Sequence, residues 1–231
     1  VRSARIWTLA AAAALTVLAP LQAVAQDEAA VPTVGVLDFT GLMMGASGNS
    51  APLGKAVSTM LITELIGRDG IRVIERQDMR RILEEQTLAL SGRVDESSAV
   101  EIGKLLGAQY MVFGQVTSIA DQLRLDMRAV DVETSEVLEV QKISGATQDL
   151  LDAVVRLADS FADNLDLPAP DSRPEAEEIP VMATIEFSRA VDYEDKGDTD
   201  AAIEHYQKAL DIHPTHRDAQ RALTRLQGGG E

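Results

Sequence analysis

Apolar positions recur along this chain with two distinct periods, and the switches between them divide it into elements. Val34-Gly-Val-Leu-Asp-Phe39 is a near-continuous apolar run, the pattern of a strand buried on both faces. A Gly/Ser/Asn-rich stretch from Gly41 to Pro52 reads as a loop. Leu53, Ala56, Val57, Met60, Leu61, Leu65 and Ile66 then recur at helical spacing, and Gly67 and Gly70 end that helix before the strand Ile71–Ile74. The order strand, helix, strand predicts a parallel pair with a right-handed crossover. A second helix follows from Gln77 to about Leu90, and Asp95 is placed to cap a third that carries Val100, Ile102, Leu105 and Leu106 inward and closes at Gly107.

Tyr110-Met-Val-Phe113 opens the next strand. Leu123, Leu125 and Met127 alternate with Arg124, Asp126 and Arg128, the period of a half-buried antiparallel strand, and the phase slips at Ala129-Val130, which predicts a bulge or the end of pairing. Val137–Ile143 returns as its hairpin partner through Glu133-Thr-Ser-Glu136. A left-handed backbone at Ser135 there costs on the order of 1 kcal/mol. Asp149 is placed to cap an amphipathic helix with Leu150, Val154, Leu157, Phe161 and Leu165 on one side. The order β-α-β-α-α-β-β-β-α predicts an α+β fold, a mixed sheet with helices packed over it.

Residues 167–180 (LPAPDSRPEAEEIP) are Pro-rich and acidic without apolar period, and read as a stiff spacer between domains. Beyond them, Tyr193, Gly197, Ala202, Tyr206, Ala209 and Pro214 fall in the order and spacing of a tetratricopeptide repeat, a small all-α helix-turn-helix unit. Arg217–Leu226 reads as a solvating third helix after it, or as the first helix of an aborted second repeat. A lone repeat leaves apolar faces open, so it must dock on the main domain, on another copy or on a partner. The repeat template places Thr184, Phe187, Val191 and Glu194 on the groove side of its first helix, as candidate partner-binding residues.

The run from Ile71 to Thr117 carries Glu75-Arg76, Leu83, Glu85-Gln86 and Leu106-Gly107-Ala108 before an apolar strand. In these features the chain resembles the CsgG/HfaB (curli production assembly/transport) family over roughly residues 31–161. The resemblance implies a bacterial envelope protein with a fold similar to penicillin-binding-protein activator lipoproteins and to the amino-terminal domain of TolB-like proteins. It also implies rings whose members contribute membrane-spanning hairpins. A membrane strand needs about 9–11 residues, and neither Thr117–Gln122 nor Ser144–Asp149 leaves room for one. The expected organisation is a leader over 1–25, a CsgG-like domain over 31–166, the spacer over 167–180 and the repeat with its capping helix over 181–227.

Composition narrows the function. Arg2 and Arg5, the apolar run Ile6–Leu21 and Ala23-Val-Ala25 form a secretory leader cleaved before Gln26, which predicts a periplasmic protein, outer-membrane-associated only through a partner. A membrane anchor is the weaker reading, because the run is short and Pro20 interrupts its end. No cysteine is present, which removes disulfides, thiolate chemistry and lipidation at a cleavage-site Cys. The formal charge is −16, and loss of Arg2 and Arg5 with the leader takes it to −18, against a nucleic-acid partner or adsorption to anionic lipid.

Candidate chemistry is thin. Gly48–Ala56 lies where a P-loop would, but five residues separate Gly48 from Gly54 and Ala56 replaces the magnesium-holding Ser or Thr. His205, His213 and His216 lie together in the repeat without a carboxylate completing a zinc geometry. Glu84-Glu85 and Glu177-Glu178 are sequence neighbours that do not face each other as a catalytic pair. Asp38 caps the loop after its strand in this reading, and Glu75-Arg76 makes surface ion pairs. No catalytic, cofactor or metal site is assigned, and an enzyme is the least supported reading. The expectation is an exported, non-enzymatic scaffold whose repeat engages a protein partner, with a homo-oligomer allowed. The alternative is an accessory subunit of a CsgG-type secretion complex whose pore is formed by other chains.

Overall fold

The structure is a computed structural model that describes residues 31–44, 50–85, 95–170 and 178–228. The leader, residues 45–49 of the loop that holds Gly48, residues 86–94 with Gln86, and residues 171–177 of the Pro-rich stretch lie outside the described residues. Residues 31–231 form a single compact unit.

A seven-stranded mixed sheet organises it. The strands are β1 (Thr33–Val36), β2 (Thr40–Met44), β3 (Ser50–Ala51), β4 (Arg72–Val73), β5 (Tyr110–Ile119), β6 (Gln122–Asp131) and β7 (Val137–Ala146). Ten-residue β5 is the spine. Its first half pairs in parallel with β1 and its second half in parallel with β2, while β6 runs antiparallel along its whole other edge. The expected β-α-β unit is present, with β1 and β4 parallel through helix α1 (Leu53–Ile66). The expected loop after Phe39 instead continues as β2 and β3, because the chain leaving β1 finds the free second half of β5 to pair with. The phase slip in β6 is a register shift at Ala129/Val130. Ser135 has φ 61°, so the hairpin turn is built on a left-handed serine.

Side-chain alternation on β5 sends Val112 and Val116 to one face and Met111 and Phe113 to the other. On the first face Val34, Val36, Leu123, Leu125 and Met127 pack under α1 and α4 (Leu150–Asn164). On the second, Leu37, Met111, Phe113 and Val132 pack with α3 (Glu96–Leu106) and Met79 of α2 (Arg76–Glu85). Asp95 caps α3, its carboxylate accepting from Ser98 N at 2.8 Å, and Gly107 ends it at φ 65°. Asp149 stands before α4 without a side-chain capping bond, because a 3-10 turn over Thr147–Asp149 leads into that helix.

Helix α1 is buried on almost every side, which an apolar stripe alone does not require. Its remaining surface is covered by the C-terminal helices α5 (Val181–Asp195) and α7 (Arg217–Gly228), with α6 (Thr199–Ile212) packed against both of them. Ile179, Ala183, Phe187, Val191 and Tyr206 join the buried cluster that contains Val57, Ile62 and Leu65. Docking on the main domain, one of the open choices above, is therefore what the repeat does here.

The start of α1 is pinned to the end of β1. Ser58 Oγ, fully buried, accepts from Phe39 N at 2.8 Å, and a Cβ on Gly54 would stand 1.8 Å from the Phe39 carbonyl oxygen. Gly54→Ala is expected to lower stability by about 2 kcal/mol or more, since backbone is the obstacle. Gly67→Ala, whose nearest neighbour is at 3.8 Å, is expected to stay near neutral. Urea midpoints of the two variants check this.

Candidate functional site

Cations on the domain and carboxylates on the repeat meet where α5 ends. Arg76 opens α2 and points its guanidinium between Asp38, just past β1, and Asp195, the last residue of α5. Arg76 Nη2 lies 2.7 Å from Asp38 Oδ2 and 2.7 Å from Asp195 Oδ2, and Nη1 also bonds Asp195. Lys55 Nζ reaches Asp192 at 2.7 Å and Asp195 at 2.9 Å, and Arg80 Nη1 reaches Asp195 at 3.0 Å. Glu194 closes the group from the repeat side. It accepts from Tyr206 Oη at 2.9 Å, from both Arg225 nitrogens at 2.8 and 3.0 Å, and from Gln77 Nε2 at 3.1 Å.

The Arg76 side chain is 13% exposed and that of Asp195 9%, so these charges are largely out of water. Burial by itself would discharge them, and the partners reverse that. For Asp195, burial pushes the carboxyl up, but hydrogen bonds from Arg76 and Lys55 with their charges leave it below its ordinary value. For Glu194, burial is likewise outweighed by Arg225, Tyr206 and Gln77. Burial lowers Arg76, and its bonds to Asp195 with the charge of Asp38 leave it raised overall. A buried ion pair is sensitive to loss of either member, because the survivor is left desolvated.

Asp38 and Arg76 therefore differ from the sequence reading. Asp38 does not cap a loop but holds a guanidinium bidentately, and Arg76 is a buried bridge instead of a surface ion. The partners of Arg76 lie 38 and 119 residues away, beyond any local period. The one signal in the sequence was that Arg76 belongs to the Glu75-Arg76 signature. Ser58 gave no signal at all.

The four residues placed on the groove side of the repeat are brought together along α5, facing the protein's own chain. Thr184, Phe187 and Val191 are 0–2% exposed, and Glu194 is held in the seam just described. Phe187 packs against Tyr206 and His216, with ring centroids 5.8 and 4.6 Å apart. The histidines are distributed within this packing. His205 Nδ1 lies 2.6 Å from Glu186 Oε2 and its ring stacks on Tyr193, while His216 is buried under Phe187. Among the described residues no group of three or more His, Asp or Glu is placed to hold a metal ion.

Between α1, α2 and the repeat lies a cleft of about 330 Å³, floored by Ile62, Ile66 and Ala222 and rimmed by Arg80, Arg221 and Arg225. A second of similar volume lies on the open sheet face, between Arg124, Arg128 and Lys142 and the start of α3. In both, arginines and carboxylates are paired with each other, as in Arg124–Asp126 and Arg225–Glu194.

The family model described as curli production assembly/transport component CsgG matches residues 16–158. A tetratricopeptide repeat model matches residues 183–216. No curated protein matches the chain. Among solved structures it is similar to the C-terminal domain of LpoB from Salmonella enterica, at 17% identity and TM-score 0.41, covering 50% of this chain and 82% of that one. It is similar to TolB from Acinetobacter baumannii at 14% identity and TM-score 0.40, over 58% of this chain and 28% of that one. The PelC dodecamer from Paraburkholderia phytofirmans is similar at 12% identity and TM-score 0.35, over 58% and 86%.

Two predictions follow from the seam's chemistry. Arg76→Met is expected to lower stability by about 3 kcal/mol, seen as a shifted urea midpoint, whereas substitution of exposed Arg81 should leave it in place. The contribution of Asp192, Glu194 and Asp195 is present above their ordinary values of 3.8–4.5 and is lost as pH falls below them, because the fold holds all three lower: Asp195 through Arg76 and Lys55 of the domain, Asp192 through Lys196 and Lys55, and Glu194 mainly through Arg225 and Tyr206. Near-ultraviolet circular dichroism of Tyr206 during acid titration reports that loss.

Proposed function

The chain belongs to the CsgG family, curli production assembly/transport components, and from that premise we propose that it is a non-catalytic protein-interaction scaffold of the bacterial envelope. The observation that carries this reading is how its densest polar constellation is used. Lys55, Arg76 and Arg80 are spent on Asp192 and Asp195, fixing a repeat onto a family domain, with their charges mutually satisfied. Such a group sets the shape of a surface; it does not supply a base or a nucleophile.

In this reading the leader delivers the chain to the periplasm, and the partner is a protein. With α5 turned inward, the partner first meets the outward side of α6, where Glu204, Gln207, Lys208, Asp211 and Ile212 are exposed. Thr184, Phe187, Val191 and Glu194 join the contact only where α5 lifts from α1. No described helix is long and apolar enough to cross a membrane. The sheet links are brief, β5 passing to β6 through Ala120-Asp121 alone, and this supports a body that acts by contact with other chains.

A photoreactive amino acid placed at Lys208, in cells exporting the chain, is expected to give one cross-linked adduct of defined mass with a second protein. The same probe at Glu133, on the β6–β7 turn, should not give it. Adducts that are equal at both positions, or that contain only this chain, would count against the scaffold reading.

A further inference from the structure

Asp218 stands in the first turn of α7 and is 6% exposed, on the wall of the cleft between the repeat and α1. Its carboxyl shares a hydrogen bond with Thr63 of α1. Among the described residues no hydrogen-bond partner reaches its Oδ1. The neighbouring cations are committed to α1. Arg217 pairs with Glu64 at 2.8 Å, and Arg221 donates to Thr63 Oγ1 at 3.4 Å. The other charged and titratable groups of the same cleft are Glu75 just before α2, Arg76 and Arg80 on α2, Glu194 and Asp195 on α5, Tyr206 on α6 and Arg225 on α7. His213 and His216 lie on the turn before α7.

This is an unusual setting for a carboxylate. Asp38, Glu64, Asp192, Glu194 and Asp195 each take at least one hydrogen bond from a cation, whereas Asp218 bonds a hydroxyl and meets Arg217 and Arg221 through their charge alone, with Glu64 acting against them. A carboxyl stripped of water without a full set of donors favours its neutral form. If the repeat stood off the domain, the same residue would occupy the first turn of a solvated helix, where the helix N-terminus favours the anion. The two positions of the repeat thus differ in their affinity for one proton.

We propose that docking of the repeat onto the domain is proton-linked through Asp218, which enters the seam as the neutral acid. Docking then takes up a proton wherever the undocked residue is ionised and the docked one is not. In that window, which begins at the ordinary value of 3.8 and runs upward, the docking constant falls by up to about tenfold per pH unit as pH rises. Burial is the leading cause of the upward displacement, with Thr63, Arg217 and Arg221 opposing it. Asp195, and in part Asp192, act with the opposite sign through Lys55 and Arg76 of the domain, losing their contribution only below their own ordinary values. Docking therefore loosens as pH rises above the ordinary aspartate value of 3.8, through Asp218, and as it falls below that value, through Asp195.

Hydrogen exchange of α5 amides in the full chain, corrected for intrinsic rates, tests this between pH 4 and 8. Wild-type protection is expected to fall with rising pH over part of that range, by up to tenfold per unit, while α3 amides stay constant. Asp218→Asn, neutral at every pH, should hold α5 at the pH 4 level throughout. Parallel profiles for wild type and variant would overturn the proposal. Should the variant not fold, carbon-13 NMR of the Asp218 carboxyl in the wild-type chain decides. A titration midpoint clearly above 3.8 supports the linkage, and one at or below 3.8 ends it.

Discussion

A guanidinium removed from water has to be matched on every side, and the arrangement of this protein turns on how Arg76 is matched. Its planar fork binds carboxylates in fixed directions, so each partner is constrained in angle as well as distance. Asp38 is available because β1 and β4 run parallel, which brings the residues after each strand to the same end of the sheet. Asp195 is available because α5 lies on α1 with its last turn at that end. Three segments remote in sequence are thereby brought to one point. Apolar burial beneath, by Phe187, Val191 and Ile62, contributes roughly 1.5–3 kcal/mol per large side chain, but it has no direction. The ion pairs supply the direction.

Much of the sheet was readable from periodicity. The alternation in β6, its bulge, the capping of α3 by Asp95 and the left-handed Ser135 are consequences of residues close in the chain. The repeat was readable for the same reason, since Ala202, Tyr206 and Ala209 sit one helical turn or so apart and are all buried. What periodicity missed is long-range. Thr40–Met44 looks like a loop because its strand character depends on the half of β5 that β1 leaves unpaired. Asp38 and Arg76 look like surface groups because nothing local reveals a partner 119 residues away. The inward turn of α5 was equally hidden: a repeat's groove face and a docking face have the same apolar spacing, and only the surface of α1 decides which it is.

The acidic charge of the chain bears on the same seam. In a protein of net charge −16 with 21 lysines and arginines, several of those cations line the seam between the repeat and the rest of the fold. Lys55, Arg76, Arg80, Arg217 and Arg225 all lie between the repeat and the rest of the molecule. Their pairing with nearby carboxylates leaves the remaining surface acidic, which favours solubility and disfavours contact with other acidic surfaces.

The continuity of the buried cluster from Leu65 to Tyr206 also bears on ancestry. Tetratricopeptide units are usually treated as cassettes that recombine freely between genes. Here excision would strip the cover from Ile62 and leave Arg76 facing solvent, so the shorter product would have to be resurfaced before it could stay dispersed. The cassette and the helix beneath it are therefore not interchangeable parts: moving either one calls for compensating changes in the other.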